Sequence, residues 1–441
     1  MLGLSDTLIV GRLSTEPIGE KTDLSSLEWA NKMVGATGFE PATSSPPVKR
    51  ATKLRYAPTL YERQALSTIA QALPGEFWRG TRHLARPSFP VTPFSMSAAT
   101  KIAILGASGY TGLELLRLVL MHPYAELVAL TSRANAGRRI TEVFPRFQDH
   151  PGSDLTFIEP DMDLVERSGA TYVFLALPHG KAAPYAQELL ARGMKVIDLS
   201  ADFRLDDPEV YAEFYDHPHP APELLQEGVF GLPEVHGEAI RQARLVASPG
   251  CYPTSIILPL IPLLKGGLIE HESLTVSSMS GVSGAGRNAS LPLIFAEVNE
   301  SVRSYGLPRH RHLSEIEQEL TKAAGEKVTI SFVPHLIPVT AGICTTTFAK
   351  LTGDFSQVGP VLENAYASAP FVRLRGAGVS PDTKHVTGTN YLDIGWHHDA
   401  RTDRLILQSA EDNLGKGAAG QALQSFNLMN GFPESCGLLN L

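Results

Sequence analysis

The sequence has little cysteine, no excess of basic charge and no long hydrophobic run, and each shortage removes a class of function. Only three cysteines occur in 441 residues, Cys251, Cys344 and Cys436, with no Cys-x-x-Cys pair and no Cys/His cluster among them. That spacing argues against a disulfide framework and a structural zinc site, and it suits a reducing compartment such as the cytoplasm. No metal is expected. A formal net charge of -8 supplies no global field for nucleic acid or an anionic membrane. The longest apolar runs, such as TSIILPLIPLL at 254–264, fall short of the roughly 20 residues that a bilayer span requires. What remains is a chain with 43% apolar and 19% charged residues, long enough for two or three domains with cores of their own, and small-molecule work is the natural expectation.

Residues 1–97 differ in texture from the rest. FEPATSSPPVKRATKLRYAPTL and ARPSFPVTPFS are rich in proline and lack sustained periodicity, so an unfolded N-terminal extension is expected. Asp6, Glu16, Glu20, Asp23, Glu28 and Glu40 are too many acids for a transit peptide, and no compact apolar core marks a secretory signal. GATGFEPATSSPPVKRATKLRYAP resembles the conceptual translation of a tRNA gene at the start of an over-extended reading frame, which would make Met96 the natural start.

From Thr100 the stretch KIAILGASGYTGLELLRLVLMHP reads as strand, glycine turn and helix. Ile102 to Leu105 suit a strand buried on both faces, and Leu113, Leu116 and Leu120 recur at helical intervals. Gly106, Gly109 and Gly112 let the backbone approach a pyrophosphate held by free N–H groups at the helix start. The whole turn, Gly106, Ser108, Gly109, Tyr110, Thr111 and Gly112, is the candidate dinucleotide cradle; a tight turn without any ligand is the plainer reading of the glycines. A second strand, AELVALTSR, ends in Thr131, Ser132 and Arg133, where an NAD enzyme usually carries Asp or Glu. Ser132 and Arg133 therefore point to the 2′-phosphate of NADP, against the plainer reading of Arg133 as a solvated surface residue. ATYVFLALPHG and MKVIDLSADFRL add further strands, and KAAPYAQELLARG a helix, so the pattern is a doubly wound parallel sheet. Ligands lie outside the carboxyl ends of such strands, which makes Leu177, Pro178 and His179 candidates for the cofactor crevice; a cap on the next helix is the plainer reading of His179.

The next strand, ARLVAS, delivers Pro249, Gly250 and Cys251 to the same edge. A lone cysteine is most often a small buried hydrophobe. Cys251, however, opens an apolar, helix-like segment, where a helix N-terminus favours thiolate over thiol. Pro253 falls harmlessly in the first turn, whereas Pro259 and Pro262 predict a kinked or short helix. Cys344, in a strand-like run, and Cys436, in the tail, read as structural. SGVSGAGR places Ser280, Ser283 and Arg287 among Gly281, Gly284 and Gly286, either a loop that closes over a phosphate or ribose or a flexible linker. HRHLSEIEQ reads on its own as a charged helix start.

SPGCYPT preceded by LVA resembles the active-site signature of the N-acetyl-gamma-glutamyl-phosphate reductase family. The likeness runs from Lys101 to the C-terminus through ILGASGYTG, DLSADFR, GLPE, SGVSGAGR, HRHLSEIEQ, VPHLIPVTAGI and DNLGKGAAGQALQ, in the family's order. It implies an NADPH-dependent enzyme that takes an acyl-phosphate substrate through a thioester on Cys251. By that likeness His312 is the acid/base with His310 its near rival, and Glu315 is an orienting or substrate-binding partner. Ser280, Ser283, Gly284, Arg287 and Arg311 face substrate, and Asn413 and Gly417 face the cofactor. Ser255 and Pro259 depart from the family's small residues and put local helix geometry in question.

The expected fold is α/β, a doubly wound parallel NADP-binding sheet (98–250 with 411–441) plus a mixed α+β catalytic domain with an antiparallel sheet (251–410). KVTISFVPHLIPV, GICTTTFAKL and RLILQS are the clearest strands of that second sheet. A homodimer or homotetramer is expected. Aspartate-semialdehyde dehydrogenase, a reductase of carrier-linked lysine-pathway intermediates and a non-catalytic NADP-binding regulator are the alternatives.

Overall fold

The computed structural model describes residues 99–439; the expectations for residues 1–97 and for Met96 lie outside the described residues. Two sheets organise the chain. The first contains β1 (Thr100–Leu105), β2 (Ala125–Thr131), β3 (Tyr172–Leu175), β4 (Lys195–Asp198), β5 (Gly228–Phe230) and β6 (Leu245–Ala247) in the order β2-β1-β3-β4-β6-β5. Every pair in it is parallel, as expected of a doubly wound sheet. Helices α1 (Tyr110–Leu120), α2 (Ala183–Ala191) and α3 (Pro233–Gln242) connect these strands.

Alternation along the strands assigns the two faces. Ile102, Ile104, Phe174, Ile197 and Val246 pack with Leu115, Leu116 and Val119 of α1. Ala103, Leu105, Val173 and Val196 pack instead with Ala186, Leu189 and Leu190 of α2. Burial on both faces explains why these strands read as continuous apolar runs. The strand order reverses between β1 and β3, and at such a switch point the carboxyl ends of the strands open a crevice.

Helix α4 (Cys251–Lys265) leads from the first sheet to the second. The predicted early stop does not occur: α4 runs 15 residues through Pro259 and Pro262. A proline removes one N–H and frees the carbonyl four residues earlier, and both freed carbonyls find hydroxyl donors. Ser409 Oγ donates to Ser255 O at 2.7 Å, and Tyr366 Oη donates to Leu258 O. The departure at Ser255 is also absorbed, since its hydroxyl pairs with Thr345 Oγ1 at 2.9 Å.

The second sheet contains β7 (Thr275–Ser280), β8 (Arg303–Ser304), β9 (Ser331–Leu336), β10 (Ile343–Lys350), β11 (Val372–Ala377), β12 (Leu392–Asp399) and β13 (Arg404–Glu411), in the order β11-β12-β13-β10-β7-β9-β8. The expected antiparallel sheet needs correction: β7 with β9 and β11 with β12 are parallel, and the remaining pairs are antiparallel. Parallel neighbours require long crossover connections. The one between β7 and β9 carries α5 (Leu313–Ala324) and the residues of HRHLSEIEQ. After β13 a π-helical turn, Gly415–Ala419, leads into α6 (Gly420–Met429). Leu423 and Phe426 of α6 join the α1 side of the first sheet.

Candidate active site

The glycine turn after β1 sits at the switch point, and its glycines are required by close approach. Gly106 has φ +83°, and a Cβ there would meet Ala176 O, just beyond β3, at 2.4 Å. A Cβ on Gly112 would meet Gly106 O at 2.5 Å. Gly109, by contrast, is not crowded: a Cβ there would make only an ordinary contact with Gly106 O at 3.8 Å. A cleft of about 460 Å³ opens over the turn, lined by Gly106, Ser108, Gly109, Tyr110, Thr111 and Gly112. Pro178, Ser283, Gly284, Arg287, Asn413 and Gly417 also line it, and so do Cys251 and His312. A bare α1 N-terminus with no side-chain cap, faced by open glycine backbone, fits a dinucleotide pyrophosphate.

Ser132 is buried and shares a hydrogen bond of 2.9 Å with Ser108, Oγ to Oγ, while Arg133 is exposed and donates to Tyr185 Oη at 3.0 Å. Neither lines the cleft itself. Arg287 lies across the cradle: its Nη1 donates to Ser108 O at 2.9 Å and its guanidinium stacks over Phe144. This expected substrate residue thus touches the dinucleotide turn. Asn413 Nδ2 donates to Ser283 Oγ at 2.8 Å and its Oδ1 accepts from Gly342 N, which fixes the SGVSGAGR loop to the segment after β13.

Cys251 is the first residue of α4, and Gly250, its N-cap, makes room for the catalytic candidates. A Cβ on Gly250 would lie 2.6 Å from His312 Nε2 and 2.8 Å from Glu315 Oε1. Glu315 accepts from Gly250 N at 3.0 Å and pairs with Arg204 Nη1 at 3.0 Å in a buried ion pair. Its Oε1 is 3.9 Å from His312 Nε2, beyond hydrogen bonding, so the carboxylate orients the N-cap of α4 rather than the imidazole. Arg204 also donates to Ser248 O and Leu199 O, which clamps the end of β6 to the end of β4.

The two histidines are placed differently. His310 Nδ1 accepts from His312 N at 3.1 Å, a bond that shapes the turn before α5. His312 lines the cleft together with Cys251, and its Nδ1 is buried without a hydrogen-bond partner among the described residues. Burial holds both imidazoles well below their ordinary value, His310 at about 4 with Arg311 contributing and His312 with His310, Arg204 and Arg311 contributing. The expectation that the helix N-terminus makes Cys251 a thiolate is corrected. Burial first, then the Glu411 carboxyl, push its thiol up to about 12.

A second cavity of about 480 Å³ adjoins the other side of Cys251 and His312, with Ser280, Arg303, His310 and Arg311 in its wall. Ser280 is buried, and its hydroxyl donates to Gly281 O. Exposed Arg311 places Nη1 2.8 Å from His179 Nδ1. His179 does not cap α2; Asp202 does, accepting from Ala182 N and Ala183 N at 3.0 Å each. Cys344 lies within β10, and neither it nor Cys436 lines the two cavities around Cys251.

Arg204, Glu411 and Lys416 were not singled out from sequence. Arg204 stood in the DLSADFR motif, which was the available signal. Lys416 is fully buried and binds Glu234 Oε1, Gln421 Oε1 and Gln424 Oε1 at 2.6, 2.5 and 2.8 Å. Gln421 Nε2 in turn donates to Thr254 Oγ1 in the first turn of α4.

Two nested comparisons agree with this arrangement. The family described as semialdehyde dehydrogenase, NAD binding domain, matches residues 101–243, and that described as semialdehyde dehydrogenase, dimerisation domain, matches 251–413. Aspartate semialdehyde dehydrogenase II of Vibrio cholerae shares the fold, with a TM-score of 0.57 at 18% identity over 76% of this chain and 99% of that one. The Candida albicans aspartate semialdehyde dehydrogenase, solved with NADP, gives 0.56 at 16% identity over 76% and 99%. The fold and the two domains are those of a semialdehyde dehydrogenase, an oxidoreductase using a nicotinamide cofactor. Within that class, the N-acetyl-gamma-glutamyl-phosphate reductase of Akkermansia muciniphila is 60% identical over 77% of this chain and 98% of its own length. That of Syntrophobacter fumaroxidans is 49% identical over 77% and 97%. The chain belongs to the N-acetyl-gamma-glutamyl-phosphate reductase family.

Proposed function

We propose that the chain reduces N-acetyl-gamma-glutamyl phosphate to N-acetylglutamate semialdehyde and phosphate, with NADPH as reductant and Cys251 as nucleophile. The observation that carries this reading is the position of Cys251 between a dinucleotide-sized cleft and a second cavity, with His312 beside it. An acyl phosphate is a poor hydride acceptor, whereas a thioester is a good one. The sulfur attacks the acyl carbon, the bond from that carbon to the phosphate oxygen breaks, and phosphate leaves.

His312 takes the thiol proton as the S–C bond forms. Burial keeps it neutral before attack, and because burial also opposes ionisation of the thiol, the proton moves as the S–C bond forms rather than before it. Glu315 and Arg204 hold the α4 N-terminus in place, and the N–H groups there stabilise the developing oxyanion. Arg311 and Arg303, in the second cavity, are placed for the substrate carboxylate. The cofactor, when bound, would supply a hydride to the acyl carbon; the C–S bond then breaks, the sulfur takes back the proton held by His312, and the semialdehyde leaves.

Gly106, Gly109 and Gly112 would hold its pyrophosphate, with Arg287, on Ser108 O, and Asn413 and Gly417 available to it from the same cleft. Arg133, exposed beside buried Ser132 and held by Tyr185 Oη, suits the 2′-phosphate and hence NADP over NAD. A homodimer or homotetramer working in the cytoplasm is the accompanying expectation. Purified protein should reduce NADP in a phosphate-dependent reaction with N-acetylglutamate semialdehyde. Preference for aspartate semialdehyde in the same assay would overturn the substrate assignment.

A further inference from the structure

The second cavity is lined by two guanidinium groups, Arg303 and Arg311, and by the imidazoles of His310 and His312; among the described residues no Asp or Glu lines it. Acceptors in its wall are already occupied. Pro292 O accepts from Arg303 Nη2, Gly281 O accepts from Ser280 Oγ, and Tyr252 Oη and Tyr305 Oη share a hydrogen bond of 2.7 Å. Apolar side chains stand beside Arg303. Arg303 of β8 and Leu336 of β9 are register partners in an antiparallel pair, which sets both side chains on one face of the sheet with Cβ atoms about 5 Å apart. The hydrogen bond from Arg303 to Pro292 O ties in the 3-10 turn Leu291–Leu293, and Leu293 and Leu336 both line the cavity. A seat for a carboxylate and an apolar seat are therefore adjacent, as an α-carbon that carries both a carboxylate and an acylated nitrogen requires.

We propose that Leu293 and Leu336 seat the substrate's N-acyl group beside the carboxylate held by Arg303 and limit it to a short chain, and that the acid-free wall rejects a substrate with an unblocked α-amine. The proposal rests on the reading of the second cavity as the substrate's seat and assigns the specificity of that seat to named residues. A substrate whose acyl carbon meets Cys251 extends its α-carbon into a cavity that Cys251 itself lines. An amide nitrogen is neutral and needs no counter-ion. A free α-amine is protonated at neutral pH, and Arg303 and Arg311 repel it with no carboxylate to offset them. Leu336 is buried in β9, whereas Leu293 is half-buried on a turn, so Leu293 is the wall that a substitution can move without cutting into the sheet. One methylene more or less against such a wall changes specificity by roughly 10- to 200-fold.

The test compares phosphate-dependent NADP reduction by the full chain with N-acetyl- and N-butanoylglutamate semialdehyde, and with aspartate semialdehyde and its N-acetyl derivative. The parent should lose about tenfold or more in kcat/KM from acetyl to butanoyl, and should favour the acetylated aspartate semialdehyde over the free one by about 100-fold. Leu293→Ala should erase most of the acetyl preference, and Leu293→Phe should raise the KM for the acetyl substrate about tenfold. A parent that uses butanoyl as well as acetyl, or variants whose acyl-length ratios match the parent's, overturns the leucine seat. Equal use of free and acetylated aspartate semialdehyde overturns the acid-free wall. Thermal unfolding checks each variant, and Leu293→Val, a smaller change, serves if Ala does not fold. Binding is read apart from turnover by protection of Cys251 from iodoacetamide, which N-acetylglutamate should give and glutamate should not; equal protection by both counts against the wall. Failure of the reductase reading itself would show separately, as no phosphate-dependent NADP reduction by the parent with either N-acylglutamate semialdehyde.

Discussion

The glycine turn of residues 106–112 and the centre around Cys251 both depend on glycines that admit close neighbours, yet they are assembled in different ways. The turn is built from one short segment closing on the adjacent β3 exit, with Gly106 against Ala176. At the centre, Gly250 admits His312 and Glu315 from α5, and Gly417 admits Cys251 and Glu411. Arg204 reaches Glu315 across 111 residues of sequence, and Gly250 reaches it across 65. A binding cradle can be written in a few consecutive residues because backbone N–H groups are its ligands. A nucleophile requires side chains from several elements, and their meeting depends on packing.

The sharpest test of this contrast is Cys251→Ser. It should abolish turnover and leave NADPH binding by fluorescence titration near the parent value, since a hydroxyl cannot replace the thiol as nucleophile at neutral pH. Substantial residual turnover would reject covalent catalysis. Next, Arg204→Met strands the buried Glu315 carboxylate, and removing one partner of such a pair costs roughly 3 kcal/mol or more. Denaturant unfolding should show that loss; an unchanged midpoint would mean that the pair is dispensable to the centre.

His312→Asn should lower turnover by about 100-fold, the ordinary range for losing an acid/base group. A greater loss in His310→Asn would reverse the roles of the two histidines. On the cradle side, Arg133→Ala should weaken NADPH binding by about tenfold and leave NADH binding unchanged, because only NADPH carries the 2′-phosphate. Equal loss for both cofactors would make Arg133 merely an exposed partner of Tyr185.

The smallest effect concerns acid. His310 falls from an ordinary 6.5 to about 4 in the folded chain, so below pH 6.5 the unfolded chain binds the proton more readily. The stability that neutral His310 contributes is full above pH 6.5 and is lost as the pH falls toward 4. The melting temperature of His310→Asn should therefore decline less than the parent's between pH 7 and 4, and parallel declines would show that the site is not linked to folding.

Continuous apolar strands, the glycine spacing and the helical leucines after it made the parallel sheet and its cradle legible, because each signal lies within a few residues and follows from backbone geometry. Cys251 was legible as a strand-end cysteine opening a helix. Its thiol pKa was not, since burial and the distant Glu411 outweigh the helix N-terminus. The full length of α4 was hidden for a similar reason: prolines 259 and 262 read as breakers until Ser409 and Tyr366 occupy the freed carbonyls. The parallel pairs of the second sheet likewise follow from long crossovers that no local pattern shows. By itself the sequence determined the elements, the cradle and the chemically able residues, all set by local periodicity and side-chain chemistry. Only the tertiary structure decided which carboxyl meets Arg204 and which residues share a cleft with Cys251, because those choices depend on distances between segments far apart in the chain.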